Sequence, residues 1–294
     1  MVTPTANSNS QFSLAGRAIK SDCSPLNMGH RRIERASEDR VSLLEYRDNK
    51  YSQFGEDGII EEICCRLGIK EGWFVEFGAW DGKHLSNTYN LLANKGWQGV
   101  LIECDPEKYK ALLQTKKAYL DRLHTLCAKV GFEGETRLDS LLAKTPIPQE
   151  FELLSIDIDS YDWQVWNALE KYKPRIVIIE SNSTIPPGII QIHKPPESCG
   201  ASFTALVSLG QSKGYQLVCH TGNCFFVRDE LVPKLNLEAK LLASPELLFN
   251  YPRHYAERLI EAGRRLLPGP LMRFFFGLSQ RLKEATGRRP RPNG

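Results

Sequence analysis

The chain alternates short, mostly apolar runs with segments whose apolar residues recur at helical spacing. Trp73–Phe77 is one such run, cut off by Gly78 and Gly82. An apolar run stopped by glycines reads as a buried strand entering a tight turn. Leu85, Tyr89, Leu91 and Leu92 then share a helical face in residues 85–95, with Ser86 or Asn87 as the capping residue. Residues 100–102 form the next strand. Pro106 opens a helix with Leu112, Leu113 and Leu120 on its buried side, and 123–130 is a third strand. A helical turn at 139–143 precedes a fourth strand at 151–158. A helix carrying Trp163, Val165, Trp166 and Leu169 is stopped by Pro174, and the β-branched run 175–179 is a fifth strand. Residues 203–213 make a helix ended by Gly214. Tyr215–His220 and 224–227 pair through Thr221, Gly222 and Asn223 as a hairpin at the sheet edge. Strands alternating with helices imply a parallel sheet with helices on both faces, whose ligands sit beyond the carboxyl ends of the strands.

The flanks read differently. Residues 1–35 are rich in Ser, Thr, Asn and Pro without a period, the composition of a mobile leader, and 33–46 reads as a short charged helix. Tyr51 to Gly58 is a polar turn feeding a helix with Ile59, Ile60, Ile63 and Leu67 inward. Two readings stand for that turn: Ser52 or Asp57 caps the helix, or Gln53 and Asp57 reach into the ligand pocket. The connection 183–200 holds four prolines and His193, a length that suits a lid or an acceptor-binding wall. Beyond it, 254–267 and 270–285 are helical. The second carries Leu271, Phe274, Phe275, Leu278 and Leu282 on one side, with Arg273, Arg281 and Lys283 interleaved. The division expected is a leader at 1–45, a catalytic domain at 46–230 and a basic helical extension at 231–294.

Composition narrows the class. Of 294 residues 41% are hydrophobic and 25% charged, ordinary for a globular protein with one sizeable core. The net charge of +3 is unevenly spread: from Arg264 onward eight Arg or Lys face one acid, Glu284, so the body is mildly acidic. An acidic body without an aromatic–basic groove argues against a nucleic-acid partner. None of the eight cysteines forms a C-x-x-C pair, which argues against zinc and for a reducing setting. With no signal-peptide layout and no long apolar run, a cytoplasmic location is expected. The C-terminal helix has two readings, peripheral contact with an anionic membrane or docking of its Phe side on the body.

The chemistry concentrates around the first glycine turn. Glu76 lies in the strand, Asp81 in the turn and Glu103 at the next strand's end. A diphosphate ligand prefers helix N–H groups with little negative charge nearby, and a nicotinamide fingerprint needs glycine where Trp80 stands. Three carboxylates instead suit a ligand with a cationic head and a ribose diol. S-adenosylmethionine has both, and Glu103 would accept its ribose hydroxyls.

On these residues the chain resembles the FkbM-type branch of class I S-adenosylmethionine-dependent methyltransferases. The likeness covers about residues 51–230. It rests on Ser52-Gln53 with Gly-Glu-Asp-Gly58, on the run from Phe74 through Gly82, and on Leu101-Ile-Glu103. Leu138 to Leu142 followed by Leu154-Ser-Ile-Asp157 adds to it, as does Gly214-Tyr215 with Asn223 and Phe225 to Val227. The resemblance implies an α/β, Rossmann-like class I methyltransferase fold: a seven-stranded, mostly parallel sheet with one antiparallel strand and helices on both faces. It assigns Glu76, Gly78, Ala79, Asp81, Gly82, Glu103, Cys104 and Asp105 to the cofactor. Asp157 at the fourth strand tip, Asp159 beside it and His193 are the candidate catalytic groups. The run from Asp157 to Asp162 departs from the family's Asp-Val-Glu-Gly pattern, which leaves the acceptor open.

Two further options attach to these residues. Asp157, Asp159, Glu180 and Asn182 could hold Mg²⁺, but their spacing is loose and no metal is expected. Alternatively Asp157 caps the following helix. His84 and His220 carry a weaker case than His193, and the glycosylation pattern Asn182-Ser-Thr184 has no secretory context. The function expected is methylation of an oxygen on a small molecule, sugar or glycolipid. The alternative is a non-catalytic scaffold recruited to a membrane or partner through its basic C-terminal helix. The oligomeric state leaves no mark in the sequence.

Overall fold

The computed structural model describes residues 42–194 and 200–250. The sequence-predicted leader and the two C-terminal helices lie outside the described residues. Seven strands form one sheet: β1 (Trp73–Phe77), β2 (Gln98–Glu103), β3 (Leu123–Cys127), β4 (Glu150–Ile156), β5 (Lys173–Glu180), β6 (Tyr215–His220) and β7 (Asn223–Arg228). Their order is β3-β2-β1-β4-β5-β7-β6. All pairs from β3 to β5 are parallel, and β7 runs antiparallel to both β5 and β6. This is the expected α/β, Rossmann-like sheet: seven strands, mostly parallel, one antiparallel, with helices on both faces.

Each face of the sheet has its own apolar core. One is covered by α1 (Glu56–Leu67), α2 (Tyr89–Asn94) and α3 (Pro106–Lys117), which bury Ile59, Ile60, Ile63, Leu91, Leu92 and Leu112 against Phe74, Leu101 and Ile178. The other is covered by α4 (Leu138–Leu142), α5 (Asp162–Ala168) and α6 (Phe203–Ser212), with Leu142, Trp166 and Leu206 against Val75, Leu154 and Phe226. The central strands are largely apolar because both faces are covered, with Glu76 of β1 a buried exception. The chain after β7 enters a 3-10 segment, Asp229–Leu235, and a short helix, α7 (Ala239–Ala243). Val232, Leu235 and Leu237 join the first core, as does Leu43 from before α1. Among the described residues no helix is long and apolar enough to cross a membrane.

Several expectations fail at element ends, each for a local reason. Leu85 is not on a helical face. It is 47% exposed with φ 55°, and α2 starts only at Tyr89 because the preceding Ser86, Asn87 and Thr88 are bonded to Glu76. The N-cap position is Thr88 rather than Ser86 or Asn87, although Ser86 Oγ accepts from the Thr88 and Tyr89 amides at the helix entry. Leu113 and Leu120 are exposed: α3 ends at Lys117, and its buried side is Leu112 and Thr115. β3 stops at Cys127 rather than 130, because its partner β2 ends at Glu103 and the chain turns into α3. β4 stops at Ile156 because the Ile158 amide donates to Asp162 Oδ1 instead of to a strand.

Candidate active site

The strand order reverses between β1 and β4, since β2 and β3 lie to one side of β1 and β5 to the other side of β4. Such a reversal opens a crevice beyond the carboxyl ends of the strands. Gly78 follows β1 there and Asp157 follows β4. Gly78 has φ +76°, and a Cβ on it would lie 2.1 Å from the Asp157 carbonyl oxygen. Glycine is therefore required twice, by the left-handed backbone and by the close approach of the neighbouring tip. The residue is exposed between buried neighbours, Phe77 and Ala79. The Gly78 and Ala79 amides both donate to Ile102 O, at 3.1 and 3.2 Å, which fastens the turn to β2.

Glu103 closes this side. It is buried, with Oε2 accepting from the Trp80 amide and Oε1 from the Asp105 amide, each at 2.8 Å. Its carboxylate thus joins the glycine turn to the start of α3. Asp105 caps α3 by accepting from the Glu107 and Lys108 amides, and Cys104 beside it is exposed. Burial first, then the Glu103 charge, raises the Cys104 thiol above its ordinary pKa. Asp81 Oδ1 accepts from the Lys83 and His84 amides, and Gly82 packs so tightly that a Cβ would meet Leu101 and Leu112. The exposed Trp80 ring stands over this turn with the Lys108 ammonium 5.2 Å from its centre.

Glu76 occupies a different environment. It is 6% exposed, and its oxygens accept from Ser86 Oγ, Thr88 Oγ1 and the Asn87 amide. Burial raises its carboxyl, against the lowering effect of those bonds. Its visible work is to fold the 86–88 segment, and Asn87 carries the link on to Ser155 of β4. Asp57 is likewise committed: Oδ2 accepts from the amides of Lys50, Tyr51 and Ser52 and from Ser52 Oγ. Neither Ser52 nor Asp57 stands at the N-cap of α1, which is Gly55 without a side-chain capping bond; Asp57 instead ties the 50–52 loop to the helix's first turn. Gln53 contributes its carbonyl to Asn49 Nδ2.

The second half of the crevice is acidic. Asp157 and Asp159 are exposed and Glu180 half-buried, with one carboxylate oxygen of each within 4.8 Å of the others. Asp162 shapes the loop between them: Oδ1 accepts from the Ile158 amide and Oδ2 from the Ser160 amide, both at 2.9 Å. Asp159, held between those anchors, adopts φ 58°, which Asp tolerates better than most residues. Asp157 reaches solvent, yet the surrounding walls displace much of its water. Burial, then the Asp162 and Asp159 charges, pushes its carboxyl up to about 7. Burial, then Asp157 and Asp159, pushes Glu180 up to about 8.

His193 lies against the same loop by another route. Its ring packs edge-on to Tyr161 at 4.6 Å, its Nδ1 accepts from the Gly200 amide, and its carbonyl accepts from Gln164. His84 is exposed beside Trp80. His220 is fully buried on the far strand. Three participants escaped the sequence reading. Asp162 carries only the signal of an acid at a strand–helix turn. Glu56 and Asn223 stand in the motifs that carry the resemblance, but their contact does not show in sequence, since Glu56 Oε1 meets Asn223 Nδ2 across 167 positions of chain.

No protein-family model matches this chain, and no curated protein matches it. Several solved structures share part of its fold at low similarity. A S-adenosylmethionine-dependent methyltransferase from Clostridium acetobutylicum is 8% identical with a TM-score of 0.39, covering 60% of this chain and 92% of that one. TrmK from M. capricolum, in complex with S-adenosyl-homocysteine, is 11% identical with a TM-score of 0.39, covering 75% and 93%. Methyltransferase FkbM from Methylobacillus flagellatus is 14% identical with a TM-score of 0.37, covering 63% and 56%.

Proposed function

We propose that this chain is a S-adenosylmethionine-dependent methyltransferase of the FkbM kind, acting on a hydroxyl of a small molecule, sugar or glycolipid. The observation that carries the reading is the junction of Gly78, Glu103 and Asp157. A bare glycine backbone at the switch point is flanked by carboxylates on two neighbouring tips. A ligand with a sulfonium, an ammonium and a ribose diol matches that chemistry, whereas a diphosphate does not. The cofactor supplies a methyl group on positive sulfur: a carbon–oxygen bond to the acceptor forms as the carbon–sulfur bond breaks, with its electron pair kept by sulfur.

The chain's part is placement. Gly78 lets a ligand approach the main chain, and Ala79, Asp81 and Gly82 hold the turn in that shape. Two amide donors keep the Glu103 carboxylate from swinging, so its remaining lone pairs are pre-aimed at a diol. Glu76 braces the segment behind the turn, and Cys104 and Asp105 form the outer edge. Asp157 and Asp159 face the acceptor and take up its proton, while His193 and Tyr161 form a wall beside them. Holding two reactants in line is worth up to about 7–11 kcal/mol of barrier.

A thermal-shift titration tests this. S-adenosylmethionine and S-adenosylhomocysteine should both raise the melting temperature, NAD should not, and Glu103→Gln should lose the response. A wild-type protein indifferent to both sulfur ligands would end the proposal, and an unchanged shift in Glu103→Gln would remove that residue from the ribose role.

A further inference from the structure

The acidic end of the crevice contains more than a proton acceptor requires. Asp157 and Asp159 follow β4, Glu180 ends β5, and their oxygens converge within 4.8 Å. Directly across from Glu180 in the antiparallel register stands Asn223 of β7. Asn223 is 7% exposed, and its Nδ2 donates to Glu56 Oε1 at 3.3 Å. A carboxylate only accepts, so this bond fixes which end of the amide faces Glu56 and turns the carbonyl oxygen away from it. That Oδ1 is buried without a hydrogen-bond partner, an arrangement native interiors rarely leave unanswered. Three carboxylates and an amide carbonyl, all hard oxygen, are the donor set of Mg²⁺ or Mn²⁺.

We propose that Asp157, Asp159 and Glu180, completed by Asn223 Oδ1, bind a divalent cation of the Mg²⁺ or Mn²⁺ type. The loop is built for it. Asp162 anchors the amides on either side of Asp159, which holds a left-handed conformation with a carboxylate oxygen within 4.8 Å of those of Asp157 and Glu180. Only the cation's role rests on the methyltransferase reading. At this place it would hold the acceptor hydroxyl and lower its pKa, easing loss of the proton toward the surrounding carboxylates. Binding itself stands independently of that reading.

The test uses the full chain without cofactor. Mn²⁺ is titrated and its free signal followed by electron paramagnetic resonance, then Mg²⁺ is added as competitor. One site is expected, displaced by Mg²⁺. Asp159→Asn and Glu180→Gln should each weaken it by more than the roughly 10–100-fold that loss of an outer-sphere partner costs. Asn suits the left-handed conformation at 159, so that variant keeps the fold, and circular dichroism of both variants verifies it. No bound Mn²⁺ at about 1 mM, the weak limit of protein oxygen sites, overturns the proposal. Undiminished binding in either folded variant also overturns it. The cofactor thermal shift is read on the same samples. A cofactor shift without Mn²⁺ binding sinks the cation alone, and Mn²⁺ binding without a cofactor shift sinks the methyltransferase reading alone.

Discussion

His220 makes the fold acid-sensitive by a calculable amount. The ring is fully buried, stacked on Phe249 at 4.8 Å and met edge-on by Phe203. Nδ1 accepts from the Asn250 amide at 2.9 Å, so the proton sits on Nε2, which lies 2.9 Å from Ser181 Oγ. Burial alone lowers its pKa from 6.5 to about 3. Below the unfolded value the unfolded chain binds a proton that the folded chain refuses, so stability falls as pH falls. Between pH 7 and pH 5 the loss attributable to this ring is about 2 kcal/mol, close to the limit of ~1.4 kcal/mol per pH unit below 6.5. Protonation also turns Nδ1 into a donor facing the Asn250 N–H, which releases that contact first. Asp157 and Glu180 act with the opposite sign, because their raised carboxyls make the folded state the better proton binder over that range. They cancel when wild type is compared with His220→Gln. The assay is urea unfolding of both proteins at pH 7 and pH 5. The wild type should lose about 2 kcal/mol more than the variant, roughly a 1 M difference in midpoint displacement for ordinary urea slopes. Parallel displacement of the two midpoints would refute the buried, neutral imidazole.

Two further outcomes test the site's framework. Gly68 and Gly78 share a left-handed backbone, but a Cβ on Gly68 meets nothing within 4 Å whereas one on Gly78 meets Asp157 O at 2.1 Å. Gly68→Ala should cost about 1 kcal/mol from conformation alone, and Gly78→Ala roughly 1–3 kcal/mol more from the clash. Equal costs in urea unfolding would deny the close approach. Glu56 is fully buried and accepts from the Phe54 amide, Thr221 Oγ1 and Asn223 Nδ2. Glu56→Ala should therefore destabilise by about 3 kcal/mol or more, and a loss under about 1 kcal/mol would show that these bonds do not hold in solution.

What the sequence discloses here is what is encoded within a few residues. Trp73–Phe77 and 175–179 read as strands because burial on both faces demands mostly apolar runs, and Gly78 reads as a turn because no other residue fits its backbone. Asp105, read from the sequence as a cofactor residue, caps the helix that starts at the next residue by accepting from the Glu107 and Lys108 amides. The failures share one cause, a distant partner that outbids local periodicity. Leu85 keeps a helical spacing, but Glu76 claims the three residues after it and delays the helix. The hairpin at 215–228 is legible, yet its insertion with β7 inside and β6 at the edge is not. That choice sets Asn223 opposite Glu180 and lets it reach Glu56. Had β6 taken the inner place, Asn223 would not stand opposite Glu180. The acidic tip of β4 can be read from Asp157 and Asp159 alone, but the buried amide oxygen proposed as a fourth ligand stands on the residue opposite Glu180 only because of strand order.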